Sequence, residues 1–200
     1  MLGVAGRSNA TLVLIVSGHP WAREIAMALK RAGVAVRMWV GPAEHQAAAR
    51  EAGIDADHGR LMVDAINREN ELEEVTDALI LTRSDDFNTL AAAEFRNELG
   101  HLHVYRTAPD PSQTDLLPPS RETGILGDRS LTFAELDRQF AAGARLESRA
   151  PSEVRNRGRN AQEVALFTIS RTGRLRIASD GRPLAPRPED TAIVLVRTDA

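Results

Sequence analysis

The sequence of 200 residues contains no cysteine. This absence excludes thiolate catalysis, iron–sulfur ligation and cysteine-based zinc sites, and it permits a reducing compartment. The longest apolar run, residues 10–16, is far shorter than the ~20 residues that span a bilayer. A strong charge of one sign is also missing, because the net charge is only −3. We therefore expect no membrane-spanning helix and no nucleic-acid partner.

Hydrophobic residues make up 42% of the chain and charged residues 26%, a balance typical of a soluble globular protein. A chain of this length accommodates one large domain or two small ones, at about 100–200 residues per domain. Area scaling predicts that roughly 70% of the unfolded surface becomes buried, so the core needs no disulfide or structural metal.

The first half alternates strand-like and helix-like segments. Residues 11–16 form a β-branched run that ends at Ser17-Gly18, and a helical pattern follows from Pro20 to the stop at Gly33. The same alternation predicts strands at 34–40, 54–58, 78–82 and 102–106, and helices at 43–52 and 86–99. Such a pattern predicts a doubly wound α/β fold, with a parallel sheet covered by helices on both faces.

The composition changes between residues 108 and 119, where four prolines interrupt regular structure. We predict a Pro-rich linker over 109–120, between a domain of residues 1–108 and a small α+β domain of residues 121–200. In the second domain, Thr132 and Glu135 have capping-box spacing, which predicts a helix that ends near residue 142. Strands are predicted at 124–126, 144–149, 164–170, 174–178 and 191–196.

The loop from the first strand to the first helix is the phosphate-binding position of a doubly wound domain, because amide groups and the helix dipole point there. The three glycine positions of a dinucleotide fingerprint hold Ser17, His19 and Ala22, and the His19 side chain would crowd a pyrophosphate. Val40 and Gly41 stand where an acid would bind ribose. Redox use of NAD is therefore disfavoured, whereas the loop still admits a mononucleotide or an anion.

Other candidate residues have structural interpretations beside functional ones. Ser84 and Asp85 begin the long helix and are expected to cap it, and Asn88 could cap or reach into the crevice. His101 and His103 share a strand face but have no third ligand nearby, so no metal site is predicted. The sequence contains no nucleophile-elbow, zinc-protease or P-loop motif.

Several stretches carry a family resemblance: IVSGHPWAREIA at 15–26, AAREAG at 48–53 and LILTRSDDFNTLAA at 79–92. They resemble the cytosolic tail of bacterial sodium:proton antiporters. That tail is similar to a TrkA-N or RCK domain, the Rossmann-like regulatory module of potassium channels and cation transporters. The likeness continues through residues 132–136, 143–146 and 188–191, so it includes both halves of the chain.

The resemblance implies a Rossmann-like, non-catalytic, ligand-sensing module that forms a homodimer. It would lie in the cytoplasm at the inner face of the membrane and act on the membrane portion of a monovalent cation:proton antiporter. The regulatory ligand would be an adenine nucleotide such as AMP, ATP or NAD. With Asn88 added from its helix position, the candidate ligand-binding residues are Ser17, Gly18, His19, Pro20, Trp21, Ala22, Val40, Gly41, Thr82, Arg83, Ser84 and Asn88.

Two alternatives stay open from the residues alone. The first is an NAD(P)-dependent oxidoreductase, which would need a general acid, yet the single tyrosine, Tyr105, has no lysine four residues later. Lys30 is the only lysine in the chain. The second alternative is a structural dimerisation module whose nucleotide pocket has degenerated.

Overall fold

The structure is a computed structural model. It describes residues 11–59, 74–100, 103–112, 124–154, 162–182, 184 and 186–197. No helix within these ranges is long and apolar enough to cross a membrane. Residues 113–120 of the predicted linker and His101 lie outside the described residues.

Six strands of the described chain form a parallel sheet in the order β3-β2-β1-β4-β5-β6. The strands are β1 Leu12–Val16, β2 Ala35–Val40, β3 Asp55–His58, β4 Asp77–Ile80, β5 Val104–Arg106 and β6 Gly124–Ile125. The order reverses between β1 and β4, which is the arrangement of a doubly wound fold. The predicted fold class is confirmed.

Helices cover both faces of this sheet because its strands are apolar on both faces. In β1, Val13 and Ile15 belong to one core cluster, whereas Leu14 and Val16 belong to another. The helices that accompany the sheet are α1 Pro20–Arg31, α2 Ala43–Glu51 and α3 Asp85–Leu99. Pro20 occupies the first position of α1, where its missing N–H group costs no helical hydrogen bond.

A four-stranded antiparallel sheet follows, in the order β7-β10-β8-β9. Its strands are β7 Arg145–Arg149, β8 Glu163–Ile169, β9 Leu175–Ile177 and β10 Thr191–Val196. Helix α4, Phe133–Ala141, precedes the sheet. The Thr132 hydroxyl accepts a hydrogen bond from the Glu135 amide at 3.1 Å, which confirms the Thr132 half of the predicted capping box. The reciprocal half does not form, because the Thr132 amide donates to the Ser130 carbonyl at 3.0 Å. The strands predicted at 164–170 and 174–178 are confirmed as β8 and β9, which pair with each other antiparallel.

The two sheets share one apolar cluster. Ile25 of α1, Leu136 of α4 and Ile193 of β10 all belong to it and are fully buried. Helix α1 contacts β2 of the parallel sheet and also β7 and α4. Strand β6 pairs with β5 in the parallel sheet, although it follows residue 120. The division into a domain of residues 1–108, a linker of residues 109–120 and a domain of residues 121–200 stays a prediction.

Candidate functional site

A cavity of about 580 Å³ opens at the carboxyl edge of the parallel sheet, beside the reversal point between β1 and β4. This edge is the usual ligand position of an open α/β sheet. The cavity is lined by Val16, Ser17, Gly18, His19, Pro20, Trp39, Gly41, Pro42, His45, Gly59, Thr82, Arg83, Phe87 and Phe133. These residues come from both halves of the chain, since Phe133 begins α4.

The cavity brings together seven of the twelve candidate residues. They are Ser17, Gly18, His19, Pro20, Gly41, Thr82 and Arg83. The other five lie elsewhere. Trp21, Ala22 and Val40 are buried in the core cluster shared by the two sheets. Ser84 caps α3 by accepting a hydrogen bond from the Phe87 amide at 3.2 Å, and Asn88 is fully buried.

Two backbone amides of the β1–α1 loop are bonded within the protein. The Ser17 amide donates to the carbonyl of Trp39 at 3.1 Å, and the His19 amide donates to the Ser17 hydroxyl at 3.2 Å. The amides of Ala22 and Arg23 both donate to the His19 carbonyl, at 3.0 and 3.2 Å. The bonds of Ala22 and Arg23 are those of the first turn of α1, so the amides engaged in the loop itself are those of Ser17 and His19.

The side chain of His45, on α2, lies directly against the backbone of Gly18. A Cβ atom at Gly18 would fall 2.1 Å from His45 Nδ1 and 2.7 Å from His45 Cβ. Glycine is thus required at this position for a reason other than phosphate binding, because the imidazole fills the space above it. Sequence reasoning missed His45, since the helix was predicted but not the direction of its side chains.

An aromatic cluster joins the start of α1 to α4. The ring centroids of His19 and Phe133 are 5.1 Å apart in an edge-to-face arrangement, and those of Trp21 and Phe133 are 5.3 Å apart. Trp21 also stacks on Phe140 at 6.4 Å. Such pairs stabilise a contact beyond the area they bury. Phe133 therefore has a fixed position in the cavity wall.

His19 is the titratable group at the centre of this contact. Its Nε2 atom lies 3.2 Å from Asp137 Oδ1 on α4. Burial lowers the pKa of His19 below its ordinary value, and the charge of Asp137 acts in the opposite direction. Arg83, Arg23 and His45 lower the pKa further. His19 is thus favoured in its neutral form near neutral pH.

Arg83 supplies a permanent positive charge to the cavity. Its guanidinium carbon lies 5.4 Å from the ring centroid of Phe133, which is the geometry of a cation–π contact. Arg83 also lines a smaller neighbouring cavity of about 240 Å³ together with Asp85 and Asp137. The Asp85 carboxylate accepts a hydrogen bond from the Asp110 amide at 2.7 Å. Of the two residues expected to cap α3, Ser84 provides the cap and Asp85 does not.

Asn88 fixes the loop that carries Thr82 and Arg83. Its Oδ1 atom accepts hydrogen bonds from the Thr82 amide at 3.1 Å and the Thr82 hydroxyl at 2.6 Å. Its Nδ2 atom donates to the Thr82 carbonyl at 2.8 Å and the Thr107 hydroxyl at 3.3 Å. Asn88 therefore positions the cavity wall from behind and does not line it.

The sequence has no match among protein-family models and none among the curated proteins. Among solved structures, the chain is similar to the GsuK channel bound to NAD, with 13% sequence identity and a TM-score of 0.48. The similarity covers 96% of this chain and 37% of the channel chain. It carries no information about the ligand or partners of the present chain.

Proposed function

We propose that the chain is a ligand-sensing, non-catalytic regulatory module of a monovalent cation:proton antiporter or a related cation transporter. In this proposal it acts in the cytoplasm as a homodimer, and a small molecule binds in the cavity at the sheet edge. Two things support the proposal: the sequence resemblance to the cytosolic tails of such antiporters, and a cavity at the position where doubly wound domains bind nucleotides.

The observation that carries the proposal is the composition of the cavity wall. Gly18 and His19 come from the β1–α1 loop, whereas Phe133 begins the helix that leads to the second sheet. A ligand in the cavity would contact both parts and could favour one of their arrangements. A coupling of about 1–3 kcal/mol between ligand and arrangement would change ion flux several-fold.

The oxidoreductase alternative finds no support in the position of Tyr105. This tyrosine is not among the residues that line the cavity. Burial, together with the charge of Asp77, raises the pKa of Tyr105 to about 12, which makes it a poor proton donor or acceptor near neutral pH. The structural-module alternative is favoured by one observation, the imidazole of His45 that lies on Gly18.

A thermal-shift measurement with small ligands tests the proposal, because a ligand that binds only the folded state raises the unfolding temperature. The panel contains AMP, ATP and NAD, together with aromatic carboxylates and their amides. We expect at least one class to stabilise the protein. Phe133→Leu should reduce the shift, whereas Phe140→Leu, which alters the same aromatic cluster outside the cavity lining, should preserve it.

Hydrogen exchange tests the sensing step itself. Binding in the cavity should slow exchange in α4 and β7 as well as in the β1–α1 loop, because Phe133 of α4 packs on His19 and Trp21 and α1 contacts β7. If no member of the panel stabilises the protein, or if exchange changes only in the β1–α1 loop, the chain is not a sensor of this kind and the structural-module alternative is preferred.

A further inference from the structure

We infer that the cavity binds a planar aromatic monoanion, such as a heteroaromatic carboxylate, in preference to a compound that carries a diphosphate. The inference rests on the proposed function, since it names the ligand class for the same cavity. Three independent features carry it: the covered phosphate position, the aromatic wall and the single permanent charge.

The first feature is the loss of the phosphate position. A pyrophosphate approaches a doubly wound domain over a glycine and accepts hydrogen bonds from amides at the helix start. Here the His45 side chain lies on Gly18, and the His19 amide donates to the Ser17 hydroxyl. A diphosphate would have to displace an imidazole and compete with this internal hydrogen bond.

The second feature is the wall where a ribose and base would lie. At the end of β2 the cavity is lined by Trp39, whose indole Nε1 donates to the Gly59 carbonyl at 3.3 Å. Among the described residues that line the cavity, no acidic side chain is present there to bind a ribose. Phe87 and Phe133 contribute two more rings. Flat apolar walls favour ligands with a ring face to bury. A cavity of about 580 Å³ is large enough for a bicyclic ring system.

The third feature is the charge of the lining. Among the described residues that line the cavity, none is acidic and Arg83 alone is a permanent cation. The nearby Arg23 uses Nη1 to donate to the Gly18 carbonyl at 3.1 Å. The Phe133 ring supports the Arg83 guanidinium, whose planar fork suits a carboxylate. One carboxylate therefore matches the charge available, whereas several phosphate charges do not.

Calorimetric titration of the whole chain tests this ligand class. The carboxylate probes are indole-3-acetate, quinoline-2-carboxylate and nicotinate. Their neutral partners are indole-3-acetamide, quinoline-2-carboxamide and nicotinamide, and the phosphate probes are AMP, ATP and NAD. We expect at least one carboxylate to bind about tenfold more tightly than its amide, as a charge-assisted hydrogen bond predicts, and more tightly than ATP or NAD.

Two pairs of variants assign the effect to residues. Arg83→Gln should bring the affinity for the carboxylate down to that for the amide. Arg31→Gln removes an exposed arginine outside the cavity and should change neither the affinity for the carboxylate nor that for the amide. His45→Ala should uncover Gly18 and increase the affinity for AMP and NAD. His58→Ala, which removes an exposed histidine of β3, should leave both affinities unchanged.

The outcomes separate this inference from the proposed function. If ATP or NAD binds the wild-type protein as tightly as the carboxylates, the ligand class is wrong and the sensor proposal stands. If a carboxylate binds in an Arg83-dependent manner but leaves the hydrogen exchange of α4 unchanged, the ligand class is supported and the sensor proposal is wrong. If no probe binds, both are wrong.

Discussion

His19 Nε2 lies 3.2 Å from Asp137 Oδ1 and joins the N-cap of α1 to the middle of α4. The imidazole also packs against the rings of Trp21 and Phe133. A single histidine therefore contacts the cavity mouth, the aromatic cluster and the helix that leads to the second sheet. Its protonation state should affect how firmly these parts are held together.

His19→Gln is expected to reduce the pH dependence of stability. The folded-state pKa of His19 lies below the ordinary value of 6.5, chiefly because of burial. The unfolded chain therefore binds a proton more readily. The stability that neutral His19 contributes is full above about pH 6.5 and is lost as the pH falls through the folded pKa. Urea unfolding between about pH 7 and about pH 5 should show a shallower decline for the variant.

Two further variants make this result specific. His58→Gln, exposed on β3, controls for the loss of an imidazole. Asp137→Asn removes the charge that favours protonated His19, so NMR titration should give a still lower pKa for His19 in that variant. An unchanged or higher pKa in Asp137→Asn would contradict the assigned interaction.

Asn88→Ala is expected to destabilise the protein by about 3 kcal/mol, because several buried polar groups would lose their hydrogen-bond partners. The groups most affected are the amide and carbonyl of Thr82 and the hydroxyl of Thr107. Asn97→Ala, exposed on the same helix, should change stability by no more than about 0.5 kcal/mol. Urea unfolding measures both, and equal effects of the two variants would show that Asn88 has no special role.

Gly18→Ala is expected to cost about 1–3 kcal/mol, as overpacking does, since the new Cβ would meet the His45 ring. The double variant Gly18→Ala/His45→Ala should recover most of that loss. Gly41→Ala is the matched control, because a Cβ there meets nothing within 4 Å. Thermal unfolding of the wild type, the two single variants Gly18→Ala and His45→Ala, the double variant and Gly41→Ala decides the point, and additive effects of the two substitutions would exclude the contact.

Ile193→Ala in β10 should lower the stability of the whole described fold by about 2–5 kcal/mol, because the side chain is fully buried in the cluster shared by both sheets. Of the two tryptophans, Trp39 lies in β2 and is buried in the core cluster of Leu14 and Val16, so it reports on the parallel sheet, whereas Trp21 also packs against α4. Their fluorescence transition should shift together with the circular dichroism transition. A tryptophan transition that does not move would indicate two separately folding domains.

Local chemistry made much of the fold predictable. A serine or threonine side chain at the start of a helix can accept a hydrogen bond from the backbone amide three residues later, and such residues are visible in the sequence. Ser84 and Thr132 both cap helices in this way, as expected. The run 192–196 is apolar, and the strand predicted over 191–196 forms β10 over those residues. The parallel sheet followed from the alternation of strands and helices, because crossover connections have a fixed hand, whereas the order of the strands was not predicted.

The cavity was only partly predictable because its wall depends on side-chain direction and on distant packing. At the end of β2, sequence reasoning placed Val40 in the site, but successive side chains of a strand point to opposite faces. Val40 belongs to the core cluster shared by the two sheets, whereas Trp39 faces the second core cluster and also lines the cavity, opposite Val16 in the register of β1 and β2. The strand period could have suggested Trp39. Nothing local indicates that Phe133 returns to the same site.

The cluster shared by the sheets also decides how this chain can be divided. A fragment that stops at residue 112 would leave the face of α1 that α4 and β7 cover, including Trp21, open to water. Exposed aromatic surface of that kind promotes self-association, which size-exclusion chromatography would detect as aggregates. Separating the sheets would thus expose a new aggregation-prone surface, and measurements on half of the chain would report on that surface as well.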